Sequence, residues 1–118
     1  MDKKEIGNAG ESAVCRYLRL RGYKVVCRNF KTRFGEIDII AQKGKIIAFV
    51  EVKTRKENSR VSGVDAVGAK KQQCVITAAT EYLQRNRVEL QPRFDVAEVT
   101  DKRKMFFRFN IKYIENAF

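Results

Sequence analysis

Histidine is absent from this 118-residue chain. That absence excludes histidine-dependent nucleases, the serine and cysteine triads that need an imidazole base, and most zinc hydrolases. Any hydrolytic chemistry must use carboxylates, lysine and an oxygen-bound metal. Cysteine is scarce as well: Cys15, Cys27 and Cys74 are an odd number, far apart, in apolar settings and without CxxC spacing. They read as reduced core thiols of a cytoplasmic protein, not as a disulfide framework or a zinc site. No run is apolar enough to span a bilayer, and the opening MDKKEIGNAGE lacks the apolar stretch of a signal peptide. The expectation is a cytoplasmic protein with no membrane partner. Repeats, low-complexity tracts and linkers are also missing, so residues 1–118 are expected to form one domain with a core of its own.

Negative charge is the other shortage. With 25 Lys+Arg against 14 Asp+Glu the formal charge is +11, which for one small domain implies a polyanionic partner, nucleic acid before others. A basic protein kept soluble by its charge would show the same balance.

Three of the few acids stand in unusual company. Gly35-Glu36-Ile37-Asp38-Ile39-Ile40-Ala41 and Ile46-Ile47-Ala48-Phe49-Val50-Glu51-Val52-Lys53-Thr54 are β-branched runs joined by the turn Gln42-Lys43-Gly44-Lys45, which predicts an antiparallel hairpin. Alternation puts Glu36, Asp38 and Ile40 on one side of the first strand, and Ile47, Phe49, Glu51 and Lys53 on one side of the second. A turn centred on Lys43-Gly44 sets Glu36 opposite Glu51, with Asp38 diagonal to it. Opposed like charges destabilise a strand pair. Relief can come from protonating one acid, from Lys53, or from a divalent cation that turns repulsion into coordination. Solvated strand-end residues in ordinary salt bridges are the plain alternative. For the three residues Asp38, Glu51 and Lys53 together, between apolar runs, the metal reading is preferred.

The remaining elements arrange themselves around this hairpin. A first helix is expected from Asn8, with Glu11 completing a capping box, to Gly22. Ala13, Val14, Tyr17, Leu18 and Leu20 would form its apolar stripe, and Gly7 and Gly10 would let it approach the sheet closely. Tyr23 to Phe30 reads as a strand with Tyr23, Val25 and Cys27 facing one way. Arg28, Lys31, Thr32 and Arg33 would then line the approach to the carboxylates and neutralise phosphates. After Lys53 the polar, basic stretch 54–63, with Arg55, Lys56 and Arg60, is where a substrate backbone would be gripped. A second helix, Val64 to Arg85, carries Val67, Lys71, Cys74, Val75, Ala78 and Tyr82 on one stripe. Lys71 on that stripe must either snorkel or meet an anion. Strands are expected at Arg93–Val99, where Arg93 and Asp95 form a structural ion pair, and at Met105–Ile111. Phe106, Phe107 and Phe109 are core residues, of which an exposed member could seed a homodimer. Ile114 to Phe118 closes the fold as a short helix or tail.

Asp38 followed thirteen residues later by Glu51-Val52-Lys53 resembles the D…(D/E)xK signature of restriction-endonuclease-like nucleases, a group that includes Holliday-junction resolvases. GEIDII, FVEVKTR, GNAGESAVCRYLRLRGY and the RNF before the GEID strand together resemble the YraN family of small, uncharacterised bacterial proteins, from about Gly7 to Phe118. The resemblance implies an α/β sandwich, a mixed five-stranded sheet flanked by helices in the order α-β-β-β-α-β-β. It also implies Mg²⁺ or Mn²⁺ at Asp38, Glu51 and the backbone carbonyl of Val52, with Glu11 and Glu36 as auxiliary ligands. Lys53 would orient or help deprotonate a water, and Lys71 would meet the acidic cluster or a bound phosphate. The expected activity is hydrolysis of nucleic-acid phosphodiesters, DNA before RNA, on branched or damaged substrates. A non-catalytic DNA- or RNA-binding protein and an accessory subunit of a DNA-processing complex are the alternatives on the same fold.

Overall fold

The third strand is apolar on both of its faces, and both are covered. The structure, a computed structural model, describes residues 3–56, 67–102 and 109–118. Its elements are α1 (Lys3–Leu20), β1 (Lys24–Lys31), β2 (Glu36–Lys43), β3 (Ile46–Lys56), α2 (Ala69–Arg85), β4 (Gln91–Asp101) and β5 (Phe109–Ile114). The strands form one mixed sheet in the order β1-β2-β3-β4-β5. β3 and β4 pair in parallel and the other neighbours antiparallel. A parallel pair needs a crossover, and α2 supplies it. The expected α/β order holds, with the hairpin strands β2 and β3 inside the sheet.

Each helix buries one face. Val14, Cys15 and Leu18 of α1 pack on Ile39, Ala41, Ala48, Val50, Ala97 and Val99. Val75, Ala78 and Ala79 of α2 pack on Ile37, Ile40, Ile47 and Phe49. The alanines on the first face bring α1 close to the sheet. At Gly10 a Cβ would lie 2.6 Å from Thr54 Oγ1, whereas at Gly7 nothing lies within 4 Å. Close approach is therefore a property of Gly10 alone. Among the described residues no helix is long and apolar enough to cross a membrane.

Several sequence expectations are corrected. α1 begins at Lys3, so Asn8 lies inside the helix and no capping box engages Glu11. Leu20 is exposed and Cys15 takes its place in the buried stripe. The C-terminus is as expected: Gly22 adopts φ 88°, and bonds from Gly22 N–H to Arg19 O and Tyr23 N–H to Leu18 O close a Schellman motif. In β1 a bulge between Val25 and Cys27 turns Cys27 to the α2 face, while Tyr23 and Val25 stay on the α1 face. α2 begins at Ala69 after Gly68; Val64 and its neighbours lie outside the described residues. Pro92 falls within β4, not before it. β5 ends at Ile114, after which Ala117 N–H donates to Phe94 O and Phe118 stacks on Phe94. The C-terminus is a docked tail. Phe109 packs on the α1 face; Phe106 and Phe107 lie outside the described residues.

The hairpin register also differs. Lys43 pairs with Ile46 and Ile39 with Val50, so the turn is Gly44-Lys45, with Gly44 at φ 59°. A glycine accepts that left-handed conformation without the clash other residues meet. The shift of the turn by one residue moves the pairing by two, and Asp38, not Glu36, comes level with Glu51.

Candidate functional site

The regular ladder between β2 and β3 stops at Ile39–Val50, one residue short of Asp38. Alternation fails here too: Ile37 and Ile40 both face α2 while Ile39 faces α1. In β1, Asn29 adopts φ 53° at the same level, a conformation asparagine tolerates better than most residues. With the strands distorted, the Asp38 carboxylate turns into the gap and Oδ2 accepts the Val52 N–H at 2.8 Å. A side chain thus replaces a ladder carbonyl. In an extended strand a residue's carbonyl points to the same edge as its amide, so the Val52 carbonyl faces the same gap.

Glu51 is buried, and its carboxyl lies within hydrogen-bonding reach of Asp38. Burial is the main cause that raises the pKa of both; in Glu51 the charge of Asp38 adds to it and the value reaches about 7. Two lysines oppose the rise without cancelling it. Lys53 Nζ stands 3.5 Å and Lys71 Nζ 3.6 Å from the same oxygen, Glu51 Oε1. The other oxygen, Oε2, is buried and has no hydrogen-bond partner among the described residues. Lys71 therefore meets an anion instead of snorkelling.

A cavity of about 640 Å³ opens beside the pair, lined by Glu11, Asp38, Val52, Lys53, Arg55 and Asp101 together with the first turns of α1. Glu11 Oε1 accepts from Arg28 Nε at 3.2 Å and Asn29 Nδ2 at 3.1 Å, and burial raises its pKa. Glu11 thus faces the cavity but is already engaged. Among the described residues no three acidic, cysteine or histidine side chains converge closely enough to hold an ion together; the carboxylates meet as a pair. Glu36 is exposed and lies in a second concavity, with Lys31, Arg33 and Lys71. Arg55 pairs with Glu98 at 3.2 Å. The side chain of Lys56 and all of Arg60 lie outside the described residues.

Two features were not singled out in the sequence. Asp101 lines the cavity from the far end of β4, and as an acid closing an apolar strand it carried a weak signal. Asn29 both bends β1 and holds Glu11; its signal was an asparagine inside a strand, where that residue is depleted.

The donors at the gap are all oxygen. Such a set suits a hard divalent ion, and Mg²⁺ characteristically takes one or two carboxylates and completes its shell with water or substrate phosphate. The orphaned Glu51 Oε2 is the observation that fits: a second positive charge there would satisfy an atom the protein leaves bare.

Fold and site together define a class: a small mixed-sheet α/β protein with a buried glutamate beside a half-buried aspartate, flanked by lysines, at the broken end of its central hairpin. The chain belongs to the uncharacterised protein family UPF0102, whose profile matches residues 10–99. It is 44% identical over 116 residues to a UPF0102 protein of Alkaliphilus metalliredigens, covering 98% of each chain. It is 41% identical over 116 residues to one of Symbiobacterium thermophilum, covering 98% of this chain and 97% of the other. A relative from Caldicellulosiruptor saccharolyticus is 39% identical over 119 residues, across 100% of both chains.

Proposed function

We propose that this chain is a cytoplasmic nuclease that hydrolyses nucleic-acid phosphodiesters, DNA in preference to RNA, with Mg²⁺ or Mn²⁺ held by Asp38, Glu51 and the Val52 carbonyl. The observation that carries the reading is the buried Glu51 carboxylate: one oxygen bare, the other shared by two lysines at 3.5 and 3.6 Å, and a second acid alongside. A stabilising staple would not be built this way, because unsatisfied buried charge is costly. The resemblance of Asp38 and Glu51-Val52-Lys53 to the D…(D/E)xK signature supports the same assignment.

When bound, the ion supplies Lewis-acid stabilisation of phosphoryl charge and lowers the pKa of water. The chain's own residues do the rest. Lys53, on the cavity wall, orients the attacking water and offsets charge in the transition state. Lys71 holds Glu51 in place from the α2 side and faces incoming phosphate. Glu11, fixed by Arg28 and Asn29, accepts a proton or a water hydrogen bond at the cavity's edge. The surplus of cations binds substrate backbone, a contribution that falls steeply with salt.

Duplex, flap, four-way-junction and single-stranded substrates with Mg²⁺ or Mn²⁺, assayed beside Asp38→Asn, test this. Cleavage is expected in the wild type and not in the variant, and a contaminating nuclease would survive the substitution. Binding without cleavage on every substrate and with either metal overturns the assignment in favour of a binding protein.

A further inference from the structure

Phe34 is one of two large hydrophobic side chains left exposed among the described residues, at 46%, and it belongs to neither core cluster. It is not loosely placed. Thr32 Oγ1 accepts the N–H groups of Phe34 at 3.0 Å and Gly35 at 3.2 Å, and Thr32 N–H donates to Gly35 O at 2.9 Å. The following residue is pressed onto α2: a Cβ at Gly35 would lie 3.1 Å from Cys74 Cβ and 3.3 Å from its carbonyl oxygen. The turn is therefore a rigid mount that raises an aromatic ring into solvent at the cost of exposing it.

The surroundings identify what the ring is for. Phe34 lines a concavity of about 410 Å³ with Lys31, Arg33 and Lys71, against Glu36 as its one acid. The Arg33 guanidinium lies 5.1 Å from the centre of the Phe34 ring. Cations around an exposed aromatic are how proteins bind single-stranded nucleic acid: the charges track phosphates and the ring stacks on a base. Lys71 also reaches Glu51 Oε1 at 3.6 Å, so this concavity adjoins the acid pair through one side chain.

We infer that Phe34 stacks an unpaired nucleobase while Lys31, Arg33 and Lys71 hold the adjoining phosphates. The inference deepens the proposed nuclease reading and rests on it for what happens next to the base. A base can reach the ring only when it is free of its own stack, so the preferred ligand is a strand with unpaired nucleotides, such as an overhang, flap or branch, and not continuous duplex.

The chain contains no tryptophan and four tyrosines, so Phe34→Trp introduces a single indole at this position that can be excited selectively. In metal-free buffer, short oligo-dT and oligo-U are titrated beside an abasic strand of equal length and a blunt duplex. Quenching by the base-bearing strands, with little from the abasic strand or the duplex, is the expected result, and the two pyrimidine strands rank DNA against RNA. Phe34→Ala should weaken single-strand binding by about tenfold or more, the size of one lost base–aromatic stack, and leave duplex binding and the salt slope unchanged. Equal quenching by abasic and base-bearing strands, or quenching by anionic vesicles and not by oligonucleotides, overturns the inference. No step of this test needs cleavage. Quenching without metal binding would sink the nuclease reading alone, and metal-dependent cleavage without quenching would sink the stacking alone.

Discussion

Two acids are buried on neighbouring strands of the same sheet, and the protein treats them in opposite ways. Asp95 in β4, 0% exposed, accepts hydrogen bonds from Arg93 Nε and Nη2, from the Tyr113 hydroxyl and from Asn116 N–H, at 2.5–3.1 Å. Arg93 is itself held by the Tyr23 hydroxyl at 2.6 Å, and its guanidinium is driven further toward the charged form, chiefly by Asp95. Glu51 in β3 has two lysines at 3.5 and 3.6 Å on one oxygen, no hydrogen-bond donor among the described residues on the other, and a second acid, Asp38, alongside. Desolvation is similar in kind; satisfaction is not. A buried charge completed by protein is a structural device, while one left incomplete is where an added ligand would have most to satisfy.

The sharpest way to break this contrast is to remove each charge's support. Arg93→Ala leaves Asp95 buried without its counter-ion, and the expected loss is about 3–5 kcal/mol in urea or thermal unfolding. Glu51→Gln removes an unsatisfied charge, so stability should stay within about 1 kcal/mol of wild type or rise. If Glu51→Gln destabilises as much as Arg93→Ala, the acid pair is a second staple and the site has no vacancy to fill.

A divalent ion should act on one acid and not the other. Mn²⁺ or Mg²⁺ at a hundredfold excess over Kd would stabilise the wild type by about 2.7 kcal/mol through linkage alone. Calorimetric titration and thermal shift should both register it. Asp38→Asn and Glu51→Gln should lose the heat and the shift, whereas in Tyr113→Phe, which keeps the ring and removes only the hydroxyl donated to Asp95, binding should persist. Equal stabilisation of Asp38→Asn would mean that the ion sits elsewhere.

Much of this contrast is legible in the sequence, because apolar runs with acids inside them mark burial whatever the register. The succession of helices and strands along the chain and the Arg93–Asp95 pair follow from patterning and local spacing. The register of the hairpin does not. Lys43-Gly44 and Gly44-Lys45 are equally good turns on composition, and the two-residue difference between them decides which acid meets Glu51. The bulge near Val26 and the left-handed Asn29 escape for the same reason: period-two reasoning assumes an even strand, and a functional strand end is where evenness is given up. Glu11 was misplaced in its helix because Asn8 and Glu11 match a capping box as well as they match the interior of a longer α1.

The pH dependence of stability sharpens the contrast further. Glu51 in the metal-free folded protein takes up its proton near pH 7, against an ordinary value of 4.5. Between those values the folded state binds more protons than the unfolded chain, so unfolding free energy falls as pH rises through the window. The stabilisation is fully present below pH 4.5 and gone above 7, a change of about 3 kcal/mol. Chelated wild type should show that decline in denaturation curves, and Glu51→Gln should flatten it. A wild type that gains stability across the window would reverse the sign and remove the desolvated acid from the account.

The smallest expected effect is also the most specific. Asp38 raises the pKa of Glu51 by its charge, and Lys71 and Lys53 lower it. Carboxyl NMR titration of Glu51 without metal should therefore move in opposite directions: down in Asp38→Asn and up in Lys71→Ala. Lys71 is 40% exposed on its side chain, so solvent screens it and its removal should change stability by less than about 1 kcal/mol. The midpoint can respond even where stability does not, because it reports the local field at one carboxyl. Arg93→Ala, which exposes the satisfied acid's network, should leave that midpoint where it is. Were Lys71→Ala also to leave it unmoved, the lysine would be serving the surface concavity alone, and the link between the two sites would be cut.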